Sequence, residues 1–173
     1  MKTFKNVLSD SLIRELGKDR ETKLLEPCWY ASEFFWDEGL KTGVAGNCLT
    51  TLVAEPLRQR LIAEIAPLLP ACDEDELIFM HYIWTRGSGI SGHNDQGWRF
   101  GATIYLNEYW DMNFGGLFAW KAKETAELNL LCPEYNTMVL NDDSERHYVT
   151  QISPLSTANR ITLQIWGGPG ADS

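Results

Sequence analysis

Before Glu76, the apolar residues of the chain fall mainly at helical spacing. They predict a short helix over Leu12–Leu16, ended by Gly17, and a second helix over Pro56–Leu69. Between these helices, the aromatic stretch Pro27–Phe35 is bounded by residues that break helices, and it predicts a strand. The N-terminal part should therefore supply mostly helices that bury one apolar face each.

From Glu76 onwards, apolar and polar residues alternate with a period of two, which indicates strands. Six strands are predicted, over Leu77–Arg86, Phe100–Asn107, Gly115–Trp120, Asn136–Leu140, His147–Ile152 and Arg160–Trp166. Turn-forming residues separate them, and the glycine-rich tail after residue 166 is expected to be frayed. A helical part followed by many short strands predicts one mostly β (α+β) domain over residues 1–173. Its strands should form a sandwich or barrel, with the N-terminal helices packed outside.

The composition is that of a folded, acidic protein. With 173 residues, 44% of them hydrophobic, the chain can bury the core of one domain. It carries 15 Lys and Arg against 24 Asp and Glu, a net charge of −9, which argues against a nucleic-acid partner because phosphates would be repelled. No segment is apolar for long enough to cross a membrane, and the four cysteines form no Cys-x-x-Cys pair. We therefore expect reduced thiols and a cytoplasmic protein.

The segment Ser91–Asp95 is the main candidate for chemistry. His93 and Asp95 are two residues apart, so in an extended segment their side chains leave the same face and can reach one metal ion. A second histidine would complete a set of two His and one carboxylate, which leaves one side of an Fe(II) ion open for a cosubstrate and O₂. On its own, a His-x-Asp is equally compatible with an ordinary polar loop.

Two further histidines exist. His147 follows a polar turn and opens a predicted strand that precedes Arg160. Arg160 and Thr162 share a strand face, where a guanidinium beside a hydroxyl is suited to binding a carboxylate. His81 alternates with Ile83 along a strand, which favours a structural role and leaves it only as the alternative third ligand.

The order of these motifs resembles the Fe(II)/2-oxoglutarate-dependent dioxygenases, and within them the prolyl-4-hydroxylase-like branch. Along the chain the motifs are His93-x-Asp95, Tyr105-Leu106-Asn107, Gly115-Gly116, His147, and Arg160-x-Thr162 ending at Trp166. The resemblance covers about Leu77 to Gly168 and implies a double-stranded β-helix, a jelly roll of the cupin-like kind. The residues it assigns to Fe(II) are His93, Asp95 and His147, and those it assigns to 2-oxoglutarate are Arg160, Thr162, Tyr105 and Tyr82.

The resemblance also implies a reaction: hydroxylation of an unactivated C–H bond of a small molecule, an amino acid or a peptidyl, prolyl-type side chain. The cofactors would be Fe(II), 2-oxoglutarate and O₂, with ascorbate as a further candidate, and succinate and CO₂ would be released. Candidate substrate contacts are Trp84, Arg99 and Trp120. Asp95 favours hydroxylation over halogenation, because halogenating members of the family carry a small residue at this position.

Two positions depart from the pattern of the branch. Trp84 stands where a Tyr is usual, so a hydrogen bond to 2-oxoglutarate would have to come from Tyr82 or Tyr105, or is not made. Leu117 follows Gly116 where a polar residue is frequent, so the resemblance does not predict which side chain forms the nearby pocket wall.

Other functions are weighed against this one. A nucleic-acid or nucleotide demethylase of the same superfamily is disfavoured because no second Arg follows Arg160 before Trp166. A third alternative, from another class, is a β-helix or cupin-like binding module that keeps a metal site without turnover. A Ser-His-Asp hydrolase is disfavoured because no Gly-x-Ser-x-Gly occurs. The glycines between Arg86 and Gly92 are compatible with either a plain hairpin or a mobile lid, and the segment Trp36–Gly46 is the other candidate lid.

Overall fold

A computed structural model gives the fold over residues 1–26, 28–31, 42–95 and 97–169. Within these residues lie two α-helices, α1 (Asp10–Lys23) and α2 (Glu55–Ile65). The strands are β1 (Lys2–Lys5), β2 (Tyr30–Ala31), β3 (Val44–Ala45), β4 (Cys48–Leu52), β5 (Leu77–Trp84), β6 (Gly89–His93), β7 (Trp98–Tyr105), β8 (Phe118–Lys121), β9 (Leu128–Leu131), β10 (Thr137–Asn141), β11 (His147–Val149) and β12 (Arg160–Pro169). The predicted mostly β class is confirmed.

The strands form two antiparallel sheets. The larger sheet has the order β1-β10-β7-β12-β5-β4-β2, and the smaller has the order β3-β6-β11-β8-β9. Strand β12 lies at the centre of the larger sheet, where it pairs with β5 on one side and β7 on the other. Because side chains alternate along a strand, β12 presents one set of residues to each face of this sheet.

Each face of the larger sheet carries its own core. On one face, Leu163 and Ile165 of β12 pack in a cluster that includes Leu12 and Leu16 of α1 and Leu61 of α2. This cluster explains the helices, because their periodic apolar residues cover the sheet. The opposite face looks toward the smaller sheet across a second cluster that includes Tyr82, Tyr105 and Phe118.

The ends of both helices were predicted wrongly. Helix α2 ends at Ile65 and is followed by a 3₁₀ turn over Ala66–Leu68, instead of continuing to Leu69. Helix α1 was predicted to end at Gly17. Helix α1 does not stop there but continues to Lys23, because the buried Leu12 and Leu16 anchor it and a glycine costs a helix interior only about 1 kcal/mol. Its N-cap is Ser9, whose side chain accepts a hydrogen bond from the backbone N–H of Leu12.

The strand prediction was wrong at the C-terminal tail. β12 continues to Pro169 instead of fraying after Trp166, because the backbone of Gly167 packs directly against Phe100. A Cβ at Gly167 would lie 2.0 Å from the ring of Phe100, so only glycine lets the strand pass.

Several strands were not predicted: β1, β3, β4, β6 and β9. Of the predicted strand Pro27–Phe35, Tyr30–Ala31 forms β2, Cys28 and Trp29 are not in a strand, and the remainder lies outside the described residues. Within the part of the chain that the structure describes, no helix is long and apolar enough to span a membrane. The four cysteines are all described, and none forms a disulfide bond.

The glycine-rich turn before His93 is a tight connection. Gly87 donates a backbone hydrogen bond to Ile152, and Ile152 donates one back to the buried Ser88, both at 2.8 Å. Gly89 already belongs to β6, and a Cβ there would lie 2.9 Å from the carbonyl oxygen of Val149. These contacts favour the hairpin interpretation over the lid. The alternative lid, Trp36–Gly46, lies outside the described residues up to position 41.

Candidate metal and cosubstrate site

A cavity of about 60 Å³ lies between the two sheets. The larger sheet supplies its Arg160, Gln164 and Trp166 from β12, and the smaller sheet supplies its two histidines. The other residues that line it are Tyr82, Trp84, Ile90, Asp95, Gly101, Thr103, Phe118, Val139, Asn141 and Val149. Six of the predicted site residues therefore meet in one place: Tyr82, Trp84, His93, Asp95, His147 and Arg160.

His93, Asp95 and His147 come together at one wall of this cavity. Antiparallel pairing of β6 with β11 places His93 directly opposite His147, and their ring centroids are 4.3 Å apart. The carboxylate of Asp95 lies 3.8 Å from Nε2 of His93 and 3.5 Å from Nε2 of His147. One potential ligand atom from each residue falls within 4.8 Å of the others, which is close enough for a single metal ion.

Backbone carbonyls fix the tautomer of both imidazoles. Nδ1 of His93 lies 2.8 Å from the carbonyl oxygen of Ser91, and Nδ1 of His147 lies 2.9 Å from that of Glu145. A carbonyl oxygen can only accept a hydrogen bond, so Nδ1 carries the proton in each ring. The lone pair of each Nε2 is consequently directed at the shared point, as in metal-binding histidines oriented by a partner on the second nitrogen.

Asn141 at the end of β10 holds the segment that carries His147. Its Nδ2 donates to the Glu145 carbonyl at 3.1 Å, and its Oδ1 accepts the Glu145 backbone N–H at 3.0 Å. The same buried amide hydrogen-bonds Asp95. Sequence analysis missed Asn141, although an Asn at the end of a buried strand and directly before a polar turn was the available signal.

Burial shapes the charge of this site. Burial raises the pKa of Asp95 to about 6, and His93 opposes this rise because its charge favours the carboxylate. Burial also lowers the pKa of His147, so its ring is neutral and able to bind a metal at pH 7. Gly101 makes room for the carboxylate, because a Cβ there would lie 2.9 Å from Oδ2 of Asp95.

Arg160 lies at the closed end of the cavity and is 1% exposed. Within the described part of the chain, its Nε and Nη2 and the buried hydroxyls of Thr162 and Tyr105 make no hydrogen bond of good geometry, although the Tyr105 hydroxyl lies close enough to the guanidinium to favour its charge. The guanidinium carbon lies 5.1 Å from the ring centroid of Tyr105 and 5.9 Å from that of Trp84. Burial lowers the pKa of Arg160, since removing a cation from water disfavours its charge.

The Gly115-Gly116 pair has a structural reason. A Cβ at Gly115 would lie 2.2 Å from the carbonyl oxygen of Gln151, and one at Gly116 would lie 3.0 Å from Cδ of Arg160. Both residues have φ above +60°, the region that favours glycine. The pair therefore lets the chain pass close to the stem of Arg160.

Solved structures of other proteins share this architecture. A prolyl-4-hydroxylase from Pseudomonas putida superposes with a TM-score of 0.67 at 15% identity, over 97% of this chain and 91% of that one. A prolyl hydroxylase from Trichoplax adhaerens, in complex with a hypoxia inducible factor peptide fragment, gives a TM-score of 0.68 at 14% identity, over 97% and 83%. HygX from Streptomyces hygroscopicus, with nickel and 2-oxoglutarate bound, gives 0.63 at 12%, over 96% and 82%.

The chain has the prolyl-4-hydroxylase fold. At these identities the likeness establishes the fold, and it confirms the predicted jelly roll with helices outside. No protein-family model matches the sequence, and no curated protein matches it either.

Within this prolyl-4-hydroxylase fold, the remaining predicted residues lie in different places. Tyr82 lines the cavity, and Trp84 lies over Arg160 at the closed end, far enough inside that we now expect it to contact cosubstrate instead of substrate. Trp120 is half-buried against Phe118 and is not part of the cavity lining. Arg99 is not brought to the site: its exposed guanidinium donates to the carbonyl of Ala71.

His81 is the structural histidine that its sequence position favoured. It is fully buried on the helix-facing side of β5, and its Nε2 lies 2.9 Å from Oδ2 of Asp19 in α1. His81 therefore ties α1 to the larger sheet, and this confirms its structural role.

Proposed function

We propose that this protein is an Fe(II)- and 2-oxoglutarate-dependent dioxygenase that hydroxylates an unactivated C–H bond. The observation that carries the proposal is the pairing of two features in one cavity. One end brings together His93, Asp95 and His147, and the other holds the buried Arg160 with unpaired N–H groups.

The metal end fits Fe(II) by its donor set. Two neutral imidazole nitrogens and one carboxylate are the ligands of non-haem Fe(II) oxygenases. Both imidazoles are oriented by a backbone carbonyl at Nδ1, and in both it is Nε2 that lies beside Asp95. Asp95 must be ionised to bind, which its pKa of about 6 allows at neutral pH. His93, Asp95 and His147 would hold the ion.

The closed end fits the distal carboxylate of 2-oxoglutarate. A buried guanidinium with unpaired donors is costly, and a carboxylate that accepts two parallel N–H bonds removes this cost. The unpaired hydroxyls of Thr162 and Tyr105 are further donors nearby on the same sheet, since Thr162 pairs with Tyr105 in register. Arg160 would bind the carboxylate, with Thr162 and Tyr105 assisting.

When bound, the iron and 2-oxoglutarate supply the oxidation: substrate R–H, O₂ and 2-oxoglutarate give R–OH, succinate and CO₂. The residues of this chain position and shield that chemistry. Arg160 would orient the cosubstrate, and the apolar side chains of Ile90, Phe118 and Val149 exclude water from the cavity. Phe118 stacks on His147 at 5.1 Å and so also limits rotation of that ring.

The substrate belongs to the small-molecule, amino-acid or peptidyl, prolyl-type class. Two proteins of this fold bind ligands of different size, since one is complexed with a peptide fragment and HygX was determined with hygromycin B. We further propose that O₂ is the oxidant and that ascorbate sustains turnover by keeping the iron reduced.

Succinate formation tests the proposed function. Purified protein with Fe(II), 2-oxoglutarate and ascorbate should produce succinate above the iron-free background, and candidate amino acids and prolyl peptides are then added one at a time. His147→Ala should remove this activity, whereas Arg99→Met, at an arginine outside the cavity, should retain it. Metal binding without succinate under every condition would instead support the non-catalytic module, and a fully active His147→Ala protein would refute the ligand assignment.

A further inference from the structure

The cavity is closed at Arg160 and open at Trp166. Along β12, the cavity-facing residues Arg160 and Thr162 are each 1% exposed, whereas Gln164 and Trp166 further along the same face are only half-buried. A substrate must enter where side chains reach solvent, so it approaches past Trp166. This direction places the proposed cosubstrate at the inner end and the substrate at the outer end.

A second tryptophan supports Trp166 at this opening. Trp98 at the start of β7 is also half-buried, and the two indole rings stack with centroids 5.7 Å apart and an interplanar angle of 28°. The pair lies beside the proposed metal ligands: a Cβ at Gly101 would lie 2.9 Å from both Oδ2 of Asp95 and Cζ3 of Trp166. Trp166 therefore forms an aromatic wall of the cavity beside the proposed metal ligands, and Trp98, which is not among the lining residues, stacks against it.

The charges around this wall favour a cation. Among the described lining residues, Arg160 is the one Lys or Arg, and it lies at the opposite, closed end. Arg99, the neighbour of Trp98, directs its guanidinium to the carbonyl of Ala71. The whole chain carries a net charge of −9, which attracts cations and repels anions.

We propose that the substrate carries a cationic group, an alkylammonium or guanidinium, that lies against Trp166, whose ring is supported by Trp98. Indole is the aromatic ring that attracts cations most strongly, and an aromatic wall selects them without a buried counter-charge. The inference rests on the proposed function, because it describes the substrate side of the same site. It narrows the substrate class to basic small molecules and basic side chains.

Binding of tetramethylammonium chloride tests the inference without turnover. The protein is loaded with Ni(II) and 2-oxoglutarate and labelled with 5-fluorotryptophan. The ¹⁹F NMR spectrum should then show seven tryptophan signals. The signals of Trp98 and Trp166 are identified as those that disappear in Trp98→Phe and in Trp166→Phe. Sodium chloride at equal concentration controls for ionic strength, and tert-butanol is a neutral molecule of similar shape. Loading with 2-oxoglutarate is measured separately by calorimetry.

The signals of Trp98 and Trp166 should shift saturably with tetramethylammonium and not with tert-butanol or sodium chloride. Trp166→Leu should weaken this binding by about 2- to 30-fold, the range that a cation–π contact supplies. Tyr109→Leu, at an aromatic residue that is 69% exposed outside the cavity, should leave it unchanged. Equal binding of tert-butanol, or no shift at either tryptophan while 2-oxoglutarate still binds, would overturn the cationic substrate and leave the proposed function standing. Failure of 2-oxoglutarate to bind would instead count against the proposed function.

Discussion

Replacing Arg160 with methionine should stabilise the protein without cosubstrate and destroy its response to 2-oxoglutarate. The guanidinium is 1% exposed, and two of its nitrogens have no hydrogen-bond partner in the described part of the chain. Methionine fills a similar volume, has no charge and needs no partner. The prediction therefore runs opposite to the usual effect of a substitution in a protein core.

The size of the effect follows from two opposing contributions. Two unpaired buried donors cost about 2–6 kcal/mol, at about 1–3 kcal/mol each. The contacts of the guanidinium with the rings of Tyr105 and Trp84 return about 1–4 kcal/mol, at about 0.5–2 kcal/mol per ring. The midpoints of the two ranges are about 4 and about 2.5 kcal/mol, so we expect Arg160→Met to raise the free energy of unfolding by about 1.5 kcal/mol, in line with other replacements of buried charges by apolar residues.

Urea unfolding with Ni(II), with and without 2-oxoglutarate, measures both effects. At 100 times its dissociation constant, 2-oxoglutarate should stabilise the wild type by about 2.7 kcal/mol and Arg160→Met by almost nothing, so the order of stability reverses. Arg99→Met is the matched control and should keep the full response to 2-oxoglutarate. If Arg160→Met is less stable than the wild type without cosubstrate, the guanidinium of the wild type must have a partner. If 2-oxoglutarate still stabilises the variant, Arg160 does not bind it.

Further predictions concern the metal site. Gly101→Ala should lower metal affinity about 10- to 100-fold, because the added methyl displaces the carboxylate of Asp95, and a calorimetric affinity equal to wild type would refute this. Asn141→Ala should cause a loss of similar size and alter the visible spectrum of the Co(II)-substituted protein, whereas an unchanged spectrum would make the amide irrelevant to ligand geometry. Without metal, Asp95→Asn should be more stable than wild type by about 2–3 kcal/mol at pH 8 and equal to it near pH 4. The reason is that the pKa of Asp95 is raised to about 6 in the folded protein, so the wild type loses the stability that its protonated carboxyl contributes as the pH rises through 6. His81→Asn should lower thermal stability but keep metal affinity, and loss of metal in that variant would favour His81 over His147 as the third ligand.

Local patterns predicted the parts of the fold that depend on them. The strands β5, β7, β10 and β12 were found because their apolar residues are dense and β-branched or aromatic, and because both faces of the larger sheet are covered. The short strands β3, β4, β6 and β9 were missed because pairing with a neighbouring strand, not their own periodicity, makes them strands. The extension of α1 past Gly17 likewise depends on packing against the sheet, which a local stop signal does not register.

The candidate site could be predicted as far as chemistry is carried by residue type and order. His93 and Asp95 could be identified by their spacing. His147 and Arg160 could be identified because they follow in the motif order of the Fe(II)/2-oxoglutarate-dependent dioxygenases that the sequence resembles. Asn141 and Gly101 could not be found in this way, because their importance comes from distances to Asp95 that exist only after folding. The exclusion of Arg99 depends on its contact with Ala71, which is also a tertiary feature.

Anomalous diffraction from crystals grown with Ni(II) and 2-oxoglutarate locates the metal and the cosubstrate in one experiment. We expect one metal peak bounded by Nε2 of His93, a carboxylate oxygen of Asp95 and Nε2 of His147, with the distal carboxylate of 2-oxoglutarate on the guanidinium of Arg160. A metal peak elsewhere, or a 2-oxoglutarate molecule that leaves Arg160 without a partner, would contradict this assignment.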